Sequence, residues 1–382
     1  MQRNFEKWEN YTHLRGGISI QQRDSLILKK KVLVVNNGYP SSYLPNYTTY
    51  IASIEDCLKD AGFAVDRLVI YYNREKVGLY MFFSYLVFWL KALFKDLSSY
   101  DYIYINHAPY IWPIFFNLTF KSKKTFIHWH GNEAIVDSLF LKVSRNIILR
   151  KGRGCRHICP SEYFKKLLNG KLGIPLESMY VSPSGGVDVN LFAPMKNEKN
   201  CNNIFVLGYT SGMSVGKGAE LIMSLIERTE SIEIELCCKI VFRIIDYGED
   251  MPKYRKRLLE CRSVELVPKM PKKDMPVFYS GIDILLMSSR RRSESLGLVV
   301  LEAMSCGKPV VAFNKFAFPE FVESGISGEL VEFSEDEMNN VKQFAIAIKK
   351  IFQNYNDYEP RSVVLNGYSR DFIVSQYKRM LH

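Results

Sequence analysis

The sequence predicts an α/β protein with two Rossmann-like, doubly wound parallel sheets that face a cleft. Short apolar runs alternate with helical patterns along the chain, and the alternation starts afresh after residue 191. The length of 382 residues also suits two domains better than one. We therefore expect a first domain over residues 1–191, a second over residues 192–366, and an amphipathic helix over residues 367–382.

Six runs in the first half read as strands, and helical patterns separate most of them. The first is KKVLVVNNGYP, which is followed by a helical pattern over about residues 47–61. The next are FAVDRLVIYY, YDYIYINHAP and KTFIHWHG, then the strand and helix of RHICPSEYFKKLLNGKLGIP, and finally MYVSPSGGVDVNLFAP with its glycine-rich loop. Alternating strands and helices are typical of a parallel sheet. For the first thirty residues we expect either an added helix or disorder.

The second half repeats the pattern with six further strands. They lie in NIFVLGYTSG, FRIIDYGED, VELVPKM, IDILLMSS, KPVVAFN and GELVEF, and the chain ends in the helical pattern YSRDFIVSQYKRML. IDILLMSS is apolar throughout, which predicts a strand buried on both faces.

The composition indicates the redox environment of the protein and the kind of partner that it binds. The eight cysteines form no C-x-x-C pair, and no apolar leader opens the chain, so we expect a reducing cytoplasm. The net charge of +11 is uneven: residues 1–190 hold 25 Lys/Arg and 15 Asp/Glu, whereas residues 191–382 hold 26 and 25. A basic first half favours an anionic partner such as a lipid surface or a diphosphate. No recognition helix or aromatic-interleaved basic strand favours nucleic acid.

The segment that runs from Val77 to Phe94, VGLYMFFSYLVFWLKALF, contains one charge, Lys91. Its uncharged run is shorter than the roughly 20 residues that span a bilayer. Two interpretations remain open: a helix buried in the first domain, or an interfacial helix that dips into a membrane surface. The nearby basic runs KSKK and RKGRGCR favour the interfacial helix.

Two glutamates eight residues apart give the clearest candidate site. Glu294 follows the buried strand IDILLMSS in a polar loop, and Glu302 lies in the helix that begins near Ser295 and Gly297. Open α/β sheets bind ligands beyond the carboxyl ends of their strands, and the N-terminus of a helix suits a phosphate. Eight helical residues span roughly 12 Å, so the two carboxylates suit opposite ends of a nucleotide-sized ligand.

Four stretches in order resemble the family-4 retaining glycosyltransferases of GT-B fold. They are ICPSEYFKKLLNGKLGIP with MYVSPSGGVDVNLF, then GYTSGMSVGKGAELI, then VELVPKMPKKDMPVFYSGIDILLMSS, and ESLGLVVLEAMSCGKPVVAF, which resembles the family's E-x7-E region. The resemblance implies a nucleotide-sugar donor bound mainly by the second domain. It also implies a C-terminal helix that crosses back to the first domain.

Roles follow from the resemblance residue by residue. Glu302 is expected to bind the ribose of the nucleotide and Glu294 the donor sugar. The backbone amides of Gly297 and Leu298 are expected to meet the sugar and the diphosphate, with Ser295 beside them.

Lys217 matches the family's phosphate-binding lysine, and His130 matches a cleft histidine close to the transferred sugar. We expect Glu294, His130 and Lys217 to be the catalytic residues. His128, two residues earlier, is expected to face the opposite side of its strand. Because no D-x-D pair precedes the second domain, we expect no divalent metal, and no other cofactor is implied.

Two departures from the family concern the diphosphate. The family usually has an arginine where this chain has Gly212, and its N-terminal Gly-Gly pair is replaced in GYPSSYLPNY. We hypothesise that Arg290, Arg291 or Arg292 supplies the missing charge, with Arg292 as the donor contact. The alternative is a solvated basic loop.

The function implied is transfer of a sugar from a nucleotide-sugar to a lipid-linked saccharide, in the synthesis of a bacterial O-antigen, capsule or exopolysaccharide. The enzyme is expected in the cytoplasm, with peripheral binding to the inner face of the cytoplasmic membrane as a further possibility. The alternative is a catalytically impaired GT-B scaffold that acts as a partner in a polysaccharide assembly complex. A phosphorylase is disfavoured because no pyridoxal-phosphate lysine context is recognised.

Overall fold

The computed structural model describes residues 29–44, 47–71, 78–195 and 203–381. Most of the first thirty residues, and Val77 at the start of the apolar segment, therefore lie outside the described residues. Within the described ranges the chain forms two six-stranded sheets, and every strand pair in them is parallel. The predicted α/β class with two parallel sheets is confirmed.

The first sheet has the strand order β2-β1-β3-β4-β5-β6. Its strands are β1 (Lys31–Asn36), β2 (Ala64–Val69), β3 (Tyr102–Asn106), β4 (Thr125–His128), β5 (Arg156–Cys159) and β6 (Met179–Val181). The helices around it are α1 (Thr49–Asp60), α2 (Leu79–Phe94), α3 (Asn132–Ile135), α4 (Leu139–Lys151) and α5 (Glu162–Leu172).

The second sheet has the order β12-β11-β10-β7-β8-β9. Its strands are β7 (Ile204–Tyr209), β8 (Lys239–Asp246), β9 (Val264–Pro268), β10 (Ile284–Met287), β11 (Val310–Phe313) and β12 (Gly328–Val331). Its helices are α6 (Ala219–Ile226), α7 (Thr229–Leu236), α8 (Met251–Glu260), α9 (Met275–Ser280), α10 (Leu298–Ser305) and α11 (Glu337–Gln353). All four residues of β10 and all four of β11 are buried, as expected for strands covered on both faces.

Strand order places the ligand side of each sheet. In the first sheet the chain turns one way from β1 to β2 and the other way from β3 onward. In the second sheet β7 and β10 are neighbours on either side of the same kind of reversal. Loops on the two sides of such a reversal diverge and leave a crevice outside the carboxyl ends of the strands.

The chain closes with α12 (Pro360–Gly367) and α13 (Arg370–Leu381), and α13 packs on the first sheet rather than the second. Ile373, Tyr377 and Leu381 are buried in the same cluster as Val32 and Ile54. The Tyr377 hydroxyl lies 3.0 Å from the Tyr104 hydroxyl of β3. The predicted crossing of the C-terminal helix is confirmed.

The apolar helix α2 lies on the surface of the first domain. Among its residues only Phe88 and Ala92 are buried, whereas Phe82 is 62% exposed and Phe94 is 77% exposed. The interpretation of this segment as a helix buried in the first domain is therefore wrong. In the described part of the chain, no helix has the length and hydropathy needed to cross a membrane.

Candidate active site

A cavity of about 840 Å³ lies between the two sheets. Its walls follow the carboxyl ends of β1, β3 and β4 on one side and of β10 on the other, where the strand order predicts a crevice. The residues that line it include Asn37, Tyr50, Met81, Tyr85, His107, Tyr110, His130, Glu133, Ser293, Glu294, Ser295, Gly297 and Leu298.

The loop after β7 brings Lys217 beside the end of β10. Gly218 adopts φ 77°, and a Cβ there would lie 2.2 Å from the backbone oxygen of Ser288, so glycine is required for this close approach. The Ser288 hydroxyl donates to the Lys217 carbonyl at 2.8 Å. Two loops that are seventy residues apart in sequence are thus fixed against each other.

Lys217 and Glu294 form an ion pair in this position. Lys217 Nζ lies 2.5 Å from Glu294 Oε2, and Ser289 Oγ donates to the same oxygen at 2.9 Å. Both charged side chains are mostly shielded from solvent, which strengthens their attraction. Glu294 lies just before α10, so the lysine that pairs with it adds a positive charge on the same side of the sheet as the positive end of that helix.

Helix α10 begins at the cavity wall. Gly297 precedes it with φ 87°, and a Cβ there would lie 2.8 Å from the Phe318 ring. Gly297 and Leu298 both line the cavity. The first backbone N–H groups of a helix have no partner within the helix, so this end of α10 offers donors to an anion.

Glu302 lies one turn further along α10 and is 6% exposed. The Tyr279 hydroxyl donates to its Oε2 at 3.2 Å, and Lys272 Nζ lies 3.5 Å from Oε1. Burial raises the pKa of Glu302, although Lys272 and Tyr279 act in the opposite direction. Glu302 does not line the cavity, and each of its carboxylate oxygens contacts one neighbour of the second domain.

Gly212 occupies a position where no larger residue fits easily. Its φ is 74°, and a Cβ would lie 2.9 Å from Tyr247 Cε2. The Tyr247 ring is in turn fixed, because its hydroxyl donates to the Thr210 carbonyl at 2.6 Å. The backbone of this loop therefore disfavours an arginine at position 212.

The three consecutive arginines have different surroundings. Arg290 pairs with Glu337 and lies over the Phe333 ring, away from the cavity. Arg291 donates to Ser214 Oγ at 3.2 Å and packs against Gly216, next to Lys217. Arg292 is exposed, and its backbone carbonyl accepts a hydrogen bond from the Tyr163 hydroxyl at 3.0 Å.

His130 lies on the first-domain wall of the cavity, and its Nε2 is 2.9 Å from Asn106 Oδ1. Burial lowers the pKa of His130 well below its ordinary value, and the neighbouring His128 and His107 add to the effect. The imidazole is therefore neutral at physiological pH.

The prediction that His128 faces away from His130 is wrong. The two rings lie 4.1 Å apart, centroid to centroid. Residues i and i+2 of a strand project to the same side, so two-residue spacing puts them together. His128 is fully buried and bonds to the Tyr104 hydroxyl at 2.9 Å, and burial lowers its pKa to about 3.

The two domains touch at the loop that contains Glu294. Ser295 Oγ donates to the His130 carbonyl at 2.5 Å, and Ser161 Oγ donates to the Ser295 carbonyl at 2.6 Å. A second contact between the domains involves Glu320, whose carboxylate accepts hydrogen bonds from the backbone N–H groups of Glu162 and Tyr163 at the start of α5. These bonds hold His130 and the head of α10 on opposite walls of one cavity.

Sequence reasoning missed three residues of the first-domain wall: Tyr50, His107 and Glu133. His107 directly follows β3, as His130 follows β4, so its place at a strand end was a usable signal. Tyr50 and Glu133 lie within ordinary helical patterns and gave none. Among the residues that the structure describes, no group of three or more His, Cys, Asp or Glu side chains could hold a metal ion.

Two facing doubly wound sheets with a shared cavity at their strand-order reversals define the GT-B class of fold. Solved structures agree. The chain is similar to a sucrose-phosphate synthase from Thermosynechococcus elongatus, with a TM-score of 0.71 and 17% identity over 92% of this chain and 98% of that one. It is also similar to Anabaena HepE in complex with UDP and glucose, with a TM-score of 0.66 and 19% identity over 92% and 99% of the two chains.

Residues 192–364 match the family model of the glycosyl transferases group 1. An uncharacterized glycosyltransferase of Methanocaldococcus jannaschii is 24% identical over 355 residues, which cover 87% of this chain and 91% of that protein. An uncharacterized 41.2 kDa protein in a cps region of Klebsiella pneumoniae is 33% identical over 105 residues, 28% of each chain. The family match thus spans the second domain, which is similar to the glycosyl transferases group 1.

Proposed function

We propose that this protein is a retaining, metal-independent glycosyltransferase that moves a sugar from a nucleotide-sugar to a lipid-linked saccharide in bacterial surface polysaccharide synthesis. One observation carries the proposal: Glu294, paired with Lys217, lies just before α10 and lines the second-domain side of a cavity shared with the first domain. The cps region of the Klebsiella relative and the UDP and glucose of the Anabaena structure support it.

On this proposal residues 192–366 hold the donor and residues 1–191 the acceptor. The diphosphate rests at the start of α10, against the amides of Gly297 and Leu298. Glu294 accepts hydroxyl groups of the donor sugar, with Ser295 beside it, and Glu302 binds the ribose. Gly212 has no side chain, so it offers only backbone groups to the donor.

The chemistry follows from where charge develops. The bond between the sugar C1 and the diphosphate oxygen breaks, so negative charge grows on the phosphate while the sugar becomes oxocarbenium-like. Lys217 and the α10 N-terminus offer positive potential at the leaving group. The acceptor hydroxyl attacks C1 and its proton passes to the leaving phosphate, so the residues need not include a nucleophile. Neutral His130 donates or accepts a hydrogen bond near the transferred sugar.

A panel of UDP-, GDP-, dTDP- and ADP-sugars in a thermal-shift assay tests the donor site first. We expect one nucleotide to raise the melting temperature and support donor hydrolysis or transfer. Glu294→Ala should abolish turnover. If no nucleotide-sugar binds or turns over, the enzyme proposal fails and the scaffold alternative, which Gly212 favours, replaces it.

Arg291 is our choice for the replacement of the missing diphosphate cation. Arg291 contacts Ser214 and Gly216, which belong to the same loop as Lys217. The charge of Arg290 is instead neutralised by Glu337. Because Arg291 is exposed, we expect Arg291→Ala to weaken nucleotide binding only roughly two- to fivefold, and less at high salt.

Arg290→Ala is the matched control, since it removes the same charge from the adjacent position. It should leave nucleotide binding unchanged. Equal losses for the two variants, or no loss after all three arginines become alanine, would contradict the assignment and leave a solvated basic loop.

The acceptor side suggests a membrane. The exposed apolar face of α2 consists of Leu79, Phe82, Phe83, Leu86, Val87, Leu90 and Phe94. Lys91 and Lys95 follow at its C-terminal end, and Met81 and Tyr85 of the same helix line the cavity. An apolar face beside lysines suits the surface of an anionic bilayer. A lipid-linked acceptor held there has its saccharide next to the cavity.

Flotation with vesicles that contain an anionic phospholipid tests this surface. We expect the protein to float with them, and Phe82→Glu with Phe94→Glu to abolish flotation without lowering the melting temperature. Ile234→Glu, on an equally exposed apolar side chain of the second domain, is the control. If the double variant still floats, the membrane contact lies elsewhere on the protein. If the unaltered protein does not float, the proposed membrane contact is wrong.

A further inference from the structure

Three side chains on the first-domain wall of the cavity are joined in a line. His107 Nδ1 lies 3.2 Å from Glu133 Oε2, and His107 Nε2 lies 2.5 Å from the Tyr50 hydroxyl. All three residues line the cavity. They come from three separate elements: α1, the turn after β3, and α3.

Glu133 fixes one end of the line. It is 2% exposed, and its carboxylate also accepts the backbone N–H groups of Gly131, at 3.1 Å, and His130. Burial alone would raise the pKa of Glu133, but His107 and the backbone N–H groups of His130 and of Glu133 itself lower it overall, so the carboxylate is ionised. A buried carboxylate in this state requires a donor from His107, which places the imidazole hydrogen on Nδ1.

The tautomer of His107 then decides what Tyr50 does. In the neutral imidazole, hydrogen on Nδ1 leaves Nε2 as an acceptor, so the Tyr50 hydroxyl donates to it. Burial raises the pKa of Tyr50, and Glu133 adds to the effect, so the phenol keeps its proton. The Tyr50 oxygen has no further hydrogen to give and offers only lone pairs to another group.

The backbone of His107 is held in an uncommon conformation. Its φ and ψ are 49° and 45°, in the left-handed region, although it is not a glycine. Such residues persist where the surroundings fix them, and they concentrate at functional sites. Here the conformation lies at the carboxyl end of β3, on the ligand side of the first sheet.

We infer that Glu133, His107 and Tyr50 form a site that holds an acceptor hydroxyl next to the attacking one, an inference that rests on the proposed glycosyl transfer. Tyr50 accepts the hydrogen bond of that neighbouring hydroxyl, so the proton of the attacking hydroxyl stays available to the leaving phosphate, and His107 and Glu133 are positioning residues that keep Tyr50 an acceptor. The site selects a neutral saccharide hydroxyl. It disfavours a phosphate or carboxylate acceptor, since such groups bring no hydrogen and meet the nearby Glu133 charge.

Kinetics with the donor that the nucleotide panel identifies test the inference. Tyr50→Phe should raise the acceptor KM roughly threefold to tenfold, as expected for one lost hydrogen bond, while the donor KM stays unchanged. His107→Asn keeps a donor toward Glu133 but removes the partner of Tyr50, so it should have the same effect. The double variant should be no worse than either single one, because all act through one line of bonds.

Tyr110→Phe is the matched control, a tyrosine of the same cavity outside the line, and its effect should add to that of His107→Asn. Direct binding gives an activity-independent measurement: saturation-transfer NMR with neutral methyl hexosides and the matching methyl uronates, in the presence of UDP. The unaltered protein should prefer the neutral glycosides, and Tyr50→Phe should lose that binding.

An unchanged acceptor KM in folded Tyr50→Phe, additive effects of Tyr50→Phe and His107→Asn, or a preference for uronates would overturn the inference. Absence of any nucleotide-sugar binding by the unaltered protein would instead end the proposed function. The two failures are therefore distinguishable.

Discussion

Restoring the family's arginine at Gly212 should damage this protein rather than improve it. A non-glycine residue in the left-handed region costs about 1–2 kcal/mol. A Cβ at Gly212 would also lie 2.9 Å from Tyr247 Cε2, and moving that ring strains or breaks its 2.6 Å hydrogen bond to Thr210, a further contribution of about 1 kcal/mol. We therefore expect Gly212→Arg to lower the free energy of unfolding by roughly 2–3 kcal/mol.

For a domain of this size, such a loss lowers the melting temperature by roughly 4–12 °C. Differential scanning fluorimetry measures it, and titration with the preferred nucleotide-sugar measures the effect of the added charge. Gly212→Ala separates the two contributions, because it has the same Cβ and no charge. If Gly212→Arg has the same melting temperature as the unaltered protein and binds the donor more tightly, the backbone of this loop does not exclude the arginine.

Three further results are expected. Gly297→Ala should lower the melting temperature and weaken donor binding together, since its Cβ meets Phe318 at 2.8 Å and its φ is positive; calorimetry and nucleotide titration check both. Lys217→Met should weaken nucleotide binding roughly tenfold or more by removing a charge-assisted contact, measured by calorimetric titration. Burial raises the pKa of Glu302, so donor affinity should rise with pH above the ordinary glutamate value of about 4.3 as the carboxylate ionises, and Glu302→Gln should flatten that profile. The folded state holds the extra proton, so the free energy of unfolding contributed by Glu302 should fall over the same pH rise.

The second-domain side of the site was predictable because its signals are local. The apolar run before Glu294, the turn at Gly297 and the helix that contains Glu302 are contiguous in the chain, and each follows from residue pattern alone. The first-domain wall was not predictable in this way. Tyr50, His107 and Glu133 meet only because β1, β3 and β4 are adjacent in the sheet, an order that the sequence does not state.

The direction of side chains in loops was a second feature that the sequence could not predict. The sequence offered three adjacent arginines as equivalent candidates, but the turn after β10 sends Arg290 toward Glu337 and Arg291 toward Ser214. Helical and strand periodicity do not apply to such a turn, so the choice depends on packing. His128 was a different case: its place beside His130 follows from strand geometry, and the prediction misapplied that geometry.

The return of α13 to the first domain means that the chain passes between the domains twice. The two passages lie side by side: the backbone N–H of Val187 donates to the Tyr368 carbonyl, and that of Arg370 donates to the Val187 carbonyl, both at 2.8 Å. Arg361 adds bonds to the carbonyls of Val189 and Phe192. A single connection would let the domains swivel freely about a point, whereas two joined connections define an axis. A rotation that widened the cleft would turn about these paired segments and would break the bonds of Ser295 to His130 and Ser161.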